Sequence, residues 1–269
     1  MSRYSLEDLI YLMQRLRDPQ DGCPWDREQD FATIVPHTIE ESYELADAIA
    51  SNDFKQIKEE LGDVLFQVVF YSQLGRERGE FEFSDVVQAV VTKLLRRHPH
   101  VFPDGTLNSR AGDQTVETSQ VKQTWEAIKA EERGDKQQHG VLDDIPVALP
   151  AMTRALKLQK RAARVGFDWD DTEQVLAQLN AELKEFSEAK ASQCAEHIEE
   201  EFGDVLFCLV NIARHMKLDP EVCLRSANRK FESRFRYIES ALKEVGSSPE
   251  QASLEQMDAL WEEAKTTGL

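Results

Sequence analysis

Glu60-Leu61-Gly62-Asp63-Val64-Leu65-Phe66 decides the fold of this 269-residue chain, because the pattern returns as Glu201-Phe202-Gly203-Asp204-Val205-Leu206-Phe207. The same offset of 141 residues places two further acids of the first copy on two acids of the second, namely Glu41 and Glu44 on Glu182 and Glu185. Smaller drifts in the offset elsewhere fall where loops absorb insertions, and the order of landmarks is the same in both halves. The chain is therefore predicted to consist of two tandem copies of one module.

Apolar residues recur at helical spacing through each module, whereas strand signals are nearly absent. An example is the series Leu6, Leu9, Ile10, Met13 and Leu16. Turn residues separate the helical segments, among them Ser51-Asn52-Asp53 and the stretch from Gly75 to Gly79. The helix predicted over 54–74 ends in the apolar run VLFQVVFY and its copy in VLFCLVNIA, so both are expected to be buried. We predict an all-α fold of two tandem antiparallel helical bundles.

Composition shifts indicate the boundaries of the modules. The first module is predicted over residues 1–133, a polar linker over 134–149 and the second module over 150–269. Within the first module, residues 103–120 have little apolar periodicity and are predicted to be a mobile excursion.

The overall composition excludes several classes of protein. With 41% hydrophobic and 30% charged residues the chain should fold, and no run reaches the roughly 18 apolar residues that a membrane span needs. We predict a cytoplasmic protein without membrane contact, with four reduced, structural cysteines that form no CxxC pair. The net charge of -18 disfavours direct nucleic-acid binding, and an anionic substrate would need divalent cations to approach.

Two pairs of acids in each module have the spacing of a shared helix face. Glu41 and Glu44 project side by side, as do Glu60 and Asp63, so antiparallel packing of the two helices brings four carboxylates together. Glu40 adds a fifth in the first module. A single such pair is usually a solvated face. Here, however, Asp63 adjoins the most apolar segment, where an ionised carboxylate without a partner is costly.

The type of ligand favours Mg²⁺, or Mn²⁺ in its place, because a set of carboxylate oxygens selects hard cations over Zn²⁺. A di-iron centre is disfavoured, since no histidine has a glutamate three residues before it. Gly62 and Gly203 lie between the acids in mid-helix, at a cost of roughly 1 kcal/mol relative to alanine. Close approach of another helix or a ligand would explain these glycines, and a tolerated packing glycine is the alternative.

Basic and aromatic residues follow the acids in each module. No P-loop sequence is present, so side chains and metal ions would have to hold any phosphates. Pairs of tryptophan and lysine at i, i+4 spacing could stack a base and reach a phosphate, although a core tryptophan beside a surface lysine is equally compatible. The basic clusters also fit exposed helix ends. The candidates are Lys93, Arg96, Arg97, Trp125 and Lys129 in the first module, and Lys230, Arg234, Trp261 and Lys265 in the second.

The run Cys23-Pro24-Trp25-Asp26, the Glu40-Glu41-x-x-Glu44 and Glu60-Leu61-Gly62-Asp63 patterns, and the stretch from Arg96 to Phe102 together resemble the MazG family. The resemblance extends over essentially the whole chain. It implies the all-α nucleoside triphosphate pyrophosphohydrolase fold, a homodimer, and Mg²⁺-dependent cleavage of nucleoside triphosphates to monophosphates and pyrophosphate. It also implies metal ligands in both modules, namely Glu41, Glu44, Glu60, Asp63, Glu182, Glu185, Glu201 and Asp204.

By the same resemblance the basic and tryptophan residues line the nucleotide site, and His197 stands where a lysine often precedes the metal-binding acids. Glu40, Glu41 and Glu182 are the catalytic candidates, with Glu40 as the spare base. Ala181 stands where Glu40 stands in the first module, which leaves open the question of which module is active. Base specificity is expected to be broad. The alternative reading is a non-catalytic nucleotide-binding or adaptor protein in which one or both carboxylate sites have lapsed.

Overall fold

The computed structural model describes residues 3–112, 117–135 and 140–268, and all regular structure within these ranges is helical. The all-α prediction is therefore confirmed. Residues 113–116 of the predicted excursion, residues 136–139 of the predicted linker and the side chain of Lys129 lie outside the described residues. The helices are α1 (Leu6–Leu16), α2 (Pro24–Glu28), α3 (Phe31–Ser51), α4 (Phe54–Arg78), α5 (Phe83–Arg97), α6 (Thr118–Asp135), α7 (Ala151–Arg164), α8 (Thr172–Ser192), α9 (Ala195–His215), α10 (Pro220–Glu244) and α11 (Leu254–Thr266).

The helices divide into two compact units, Met1–Ala130 and Glu131–Leu269. In the first unit α4 packs against α1, α3 and α5. In the second, α9 packs against α7, α8 and α10, and α10 packs against α11. The module limits 1–133 and 150–269, with the linker between them, remain a prediction.

One buried cluster forms the core of the first unit. It contains Met13 of α1, Ile34 of α3, and Val69, Phe70 and Leu74 of α4. These residues come from three helices because each helix presents one apolar stripe to the others.

The apolar helix α4 differs from the sequence prediction in its exposed face and in its end. Leu61, Leu65 and Val68 stay 52%, 40% and 37% exposed, so the expectation of a helix buried all round was wrong for that face. The helix also runs through the predicted turn at Gly75, where an added Cβ would lie 2.7 Å from the Phe81 ring. Gly75 therefore serves close packing, and the helix ends at Gly79, whose φ of 71° suits glycine.

In the described part of the chain, no helix combines the length and the apolar character needed to cross a membrane. The cysteines are free thiols.

Candidate active site

Helices α3 and α4 bring three acids of the first unit together. One carboxylate oxygen from each of Glu41, Glu60 and Asp63 lies within 4.8 Å of the other two. The turn between the helices sets this arrangement, because Asn52 takes a left-handed conformation with φ of 58° and Asp53 caps the start of α4.

Crowding of carboxylates affects the protonation of Glu41 and of its neighbour Glu44. Burial, and then the charges of Asp63, Glu44 and Glu60, raise the pKa of Glu41 above its ordinary value. Partial loss of solvation, and then the charges of Glu60 and Glu40, likewise raise the pKa of Glu44. Like charges disfavour ionisation, so a cation held among these oxygens would relieve the repulsion.

Helices α8 and α9 repeat the arrangement in the second unit with Glu182, Glu201 and Asp204, again within 4.8 Å. Glu201 Oε1 lies 3.2 Å from His197 Nε2, whereas Oε2 is buried and has no hydrogen-bond partner among the described residues. Gln178 Nε2 donates to Glu182 Oε1 at 2.8 Å. A buried carboxylate oxygen without a donor is costly, so this donor set fits a divalent cation.

The remaining acidic candidates lie outside the two groups of three. Glu44 is exposed, with the Glu60 carboxylate close enough to affect the pKa of Glu44, and Glu185 is exposed on α8. Glu40 is exposed, 3.7 Å from His37 Nδ1. Their roles as metal ligands or base stay predictions.

The mid-helix glycines are not required by packing within the chain. A Cβ added at Gly62 or Gly203 would meet no heavy atom of the described residues within 4 Å. Close approach of a second helix of the same chain is therefore excluded for the described residues, whereas close approach of a ligand and a tolerated glycine both stay open.

Several nucleotide-site candidates of the first unit gather at the end of α5. Lys93 and Arg96 are exposed there and Arg97 is half-buried. The Trp125 ring of α6 packs edge-on against His98, with ring centroids 4.9 Å apart. The sequence did not predict this pairing.

The second-unit candidates lie on α10 and α11. Trp261 packs against Phe231, with ring centroids 5.3 Å apart, and the Arg234 guanidinium lies 5.4 Å from the Trp261 ring centroid. Lys265 pairs with Glu262 one turn away, and Lys230 is exposed. The structure thus joins Trp261 to Arg234, and the assignment of these residues to a nucleotide stays a prediction.

A cavity of about 320 Å³ adjoins the acids of the second unit, and both Glu182 and Asp204 line it. Its apolar wall contains Leu158, Ala162, Phe167, Trp169, Phe207 and Cys208. Burial, with the Glu182 and Asp204 carboxylates nearby, raises the pKa of the Cys208 thiol, which therefore remains a neutral lining group.

Two buried amides, Gln159 and Asn211, complete the cavity, and sequence reasoning missed both. The available signal was Asn211, a polar residue inside the apolar run VLFCLVNIA. At the offset of 141 residues Asn211 corresponds to Phe70, which is buried in the first unit in the same cluster as Met13. The two units therefore have the same acids, but a cavity-lining asparagine in the second unit replaces a buried phenylalanine of the first.

Comparison with known proteins identifies the family. The model of the MazG nucleotide pyrophosphohydrolase domain matches residues 29–102 and again residues 170–238. The chain is 47% identical over 262 residues to the nucleoside triphosphate pyrophosphohydrolase of Escherichia coli K12, with 97% of each chain covered. It is 44% identical over 259 residues to nucleoside triphosphate pyrophosphohydrolase/pyrophosphatase MazG of Thermotoga maritima, covering 96% of this chain and 95% of that one.

A third relative is the uncharacterized protein YabN of Bacillus subtilis, 43% identical over 257 residues that form 95% of this chain and 50% of the relative. The two segments matched by the family model contain the two groups of acids and confirm the tandem arrangement. The chain belongs to the MazG nucleotide pyrophosphohydrolase family.

Proposed function

We propose that this chain hydrolyses nucleoside triphosphates to monophosphates and pyrophosphate with Mg²⁺, or Mn²⁺ in its place, and accepts several bases. Family membership and likeness over nearly the whole chain to proteins named nucleoside triphosphate pyrophosphohydrolase make it an enzyme of that class. The observation that carries the proposal for this chain is the group of Glu182, Glu201 and Asp204 at the wall of a cavity.

The second unit is our proposed site of turnover. Its acids adjoin a cavity of the size that small-molecule sites have, about 300–1,000 Å³. In the first unit Phe70 occupies the position of Asn211 and is fully buried. We propose that the first unit holds a metal ion through Glu41, Glu60 and Asp63, with Glu44, and contributes mainly to assembly.

Each acid of the second unit has a proposed role. Glu182, Glu201 and Asp204, with Glu185, would hold the metal ion, which when bound neutralises phosphate charge and lowers the pKa of a water molecule. Glu182 faces the cavity and receives a hydrogen bond from Gln178, so it is held in position to orient the attacking water. Attack at the α-phosphorus expels pyrophosphate.

Cationic side chains would stabilise the charge that develops on the phosphates. We propose Lys230, Arg234 and Lys265 for this role, with Trp261 holding Arg234 in place. His197, which lies beside Glu201, would add to them. The first unit has counterparts of these residues, namely Lys93, Arg96, Arg97, Trp125 and Lys129. If the first unit also hydrolysed nucleotides, Glu40 and Glu41 would be its catalytic acids.

Release of pyrophosphate from each nucleoside triphosphate with Mg²⁺ tests the proposal. We expect Glu201→Gln to lower the rate by roughly 10²-fold or more, because it alters a metal ligand, and Glu60→Gln to leave the rate within a few-fold. Loss of activity in Glu60→Gln alone would assign turnover to the first unit. Orthophosphate as the initial product would overturn the reaction type, and normal release by the double variant would overturn the carboxylate site.

A further inference from the structure

The amide of Gln159 has a fixed orientation at the cavity wall. Its Nε2 donates to the backbone carbonyl of Phe207 at 2.8 Å. A carbonyl only accepts, so Oε1 must lie on the other side, and it is buried with no hydrogen-bond partner among the described residues. Gln159 is 7% exposed and lines the cavity, so it leaves an unsatisfied acceptor there.

The amide of Asn211 is fixed in the opposite sense. Its Oδ1 accepts from Arg214 Nε at 2.8 Å, and a guanidinium only donates, so the Asn211 NH₂ group lies on the other side. Arg214 is itself held, since Nη1 donates to Asp168 Oδ2 at 2.9 Å. Asn211 is 3% exposed and also lines the cavity, so its orientation is set by a chain of contacts that begins at Asp168.

The two amides that line the cavity therefore have one acceptor and one NH₂ donor turned away from their partners within the chain, next to the acids proposed to hold the metal ion. Trp169, Phe167 and Phe207 line it. A flat heteroaromatic ring whose edge has a donor beside an acceptor would match both amides, and its apolar faces would lie against these aromatic side chains.

We propose that Gln159 and Asn211 read the hydrogen-bonding edge of the nucleobase, and that Arg214 and Asp168 position Asn211. The proposal rests on the proposed function of the second unit. Each of the common bases has an N–H donor beside an acceptor on its Watson–Crick edge, so the pair admits every unmodified base and rejects bases whose edge is blocked. The substrate class is therefore triphosphates with an unmodified edge.

The test compares nucleotides with and without a methyl group on that edge. Pyrophosphate release is measured for UTP against 3-methyl-UTP, and for ATP against N6,N6-dimethyl-ATP. In the unaltered protein we expect kcat/KM to be about tenfold or more lower for the methylated partner, because a buried polar group is then left unpaired. Gln159→Met should bring the ratio close to one by raising KM for the unmodified nucleotide, with kcat within a few-fold.

Asn211→Asp keeps the acceptor that faces Arg214 but replaces the donor by a second acceptor. It should therefore change the order of kcat/KM among UTP, ATP and their methylated partners. Gln67→Met is the matched control, because it removes a buried amide of the first unit. The control should leave both ratios unchanged.

Two results would overturn base reading while leaving the proposed function intact: equal rates for methylated and unmodified nucleotides, or a ratio unchanged in Gln159→Met. If the unaltered protein releases no pyrophosphate, the proposed function fails. Equilibrium dialysis of UMP against 3-methyl-UMP then decides the inference, and equal binding or none would overturn it.

Discussion

At the scale of single residues, the contact of Asp168 with Arg214 joins the segment after α7 to the end of α9. Hydrogen bonds from Arg214 lower the pKa of Asp168 below its ordinary value; burial opposes this effect and His215 adds to it. A lowered pKa in the folded state means that the contact stabilises the protein above the ordinary pKa of aspartate. That stability is lost as the pH falls through the lowered pKa.

We expect Asp168→Asn to lower the free energy of unfolding by roughly 1–3 kcal/mol at neutral pH. The difference from the unaltered protein should shrink to near zero in acid, where Asp168 is protonated in both the folded and unfolded chains. Denaturant titrations between pH 7 and pH 2 measure it, with the exposed Asp258→Asn as the control. A difference independent of pH would contradict the assignment.

The residues of the site differ in how far they could be predicted from the sequence. Glu41, Glu60 and Asp63 were predictable as a group. Their spacing and the short turn between their helices are almost enough to bring the three carboxylates together. Gln159 was not, because its partner is the backbone of Phe207, 48 positions away, and such a contact depends on how α7 packs on α9. The exposed face of α4 was mispredicted because its apolar pattern does not show how much of the helix the chain itself covers.

At the scale of elements, the two acid-bearing hairpins have the same backbone but unequal capping. Asn52 and Gln193 take left-handed conformations at equivalent positions, with φ of 58° and 57°. Asp53 then accepts from the backbone N–H groups of Lys55 and Gln56, whereas its counterpart Cys194 makes no side-chain cap bond. The first turn was visible as Ser51-Asn52-Asp53, whereas the second, Ser192-Gln193-Cys194, has neither the asparagine nor the aspartate.

Cys194→Asp should therefore stabilise the second unit by about 1 kcal/mol, because an aspartate there accepts from the free N–H groups of the first turn of α9. Thermal or denaturant unfolding measures the gain. Asp53→Ala is the matched control in the first unit and should cost a similar amount. A loss of stability in Cys194→Asp would show that the cap is hindered despite the matching backbone.

At the scale of the whole molecule, a bound metal ion should stabilise the fold even without substrate. Ligand binding to the folded state alone adds about 2.7 kcal/mol at a concentration 100 times the dissociation constant. We expect Mg²⁺ to raise the unfolding temperature, and the double variant Glu60→Gln, Glu201→Gln to lose most of this rise. The exposed Glu239→Gln is the control and should retain it. A full rise in the double variant would place the ion elsewhere.

The exposed apolar side chains support the predicted homodimer. Leu61, Leu65 and Val68 of α4, and Leu206 and Leu209 of α9, are 37–52% exposed in the single chain. Apolar faces of this kind are typical of protein interfaces. Light scattering should report about 62 kDa, twice the chain mass of 30.8 kDa. A mass near 31 kDa at micromolar concentration would contradict this prediction.

The placement of the acids on adjacent helices also affects the order in which the site is made during synthesis. Glu182 and Asp204 lie on α8 and α9, which are joined by a short turn, so their approach needs only local contacts of the kind that form quickly. Lys230 and Trp261 leave the ribosome later, because they belong to α10 and α11. A nascent chain therefore acquires its paired acids before it acquires the cations proposed to hold a triphosphate, so the two parts of the proposed site form in that order.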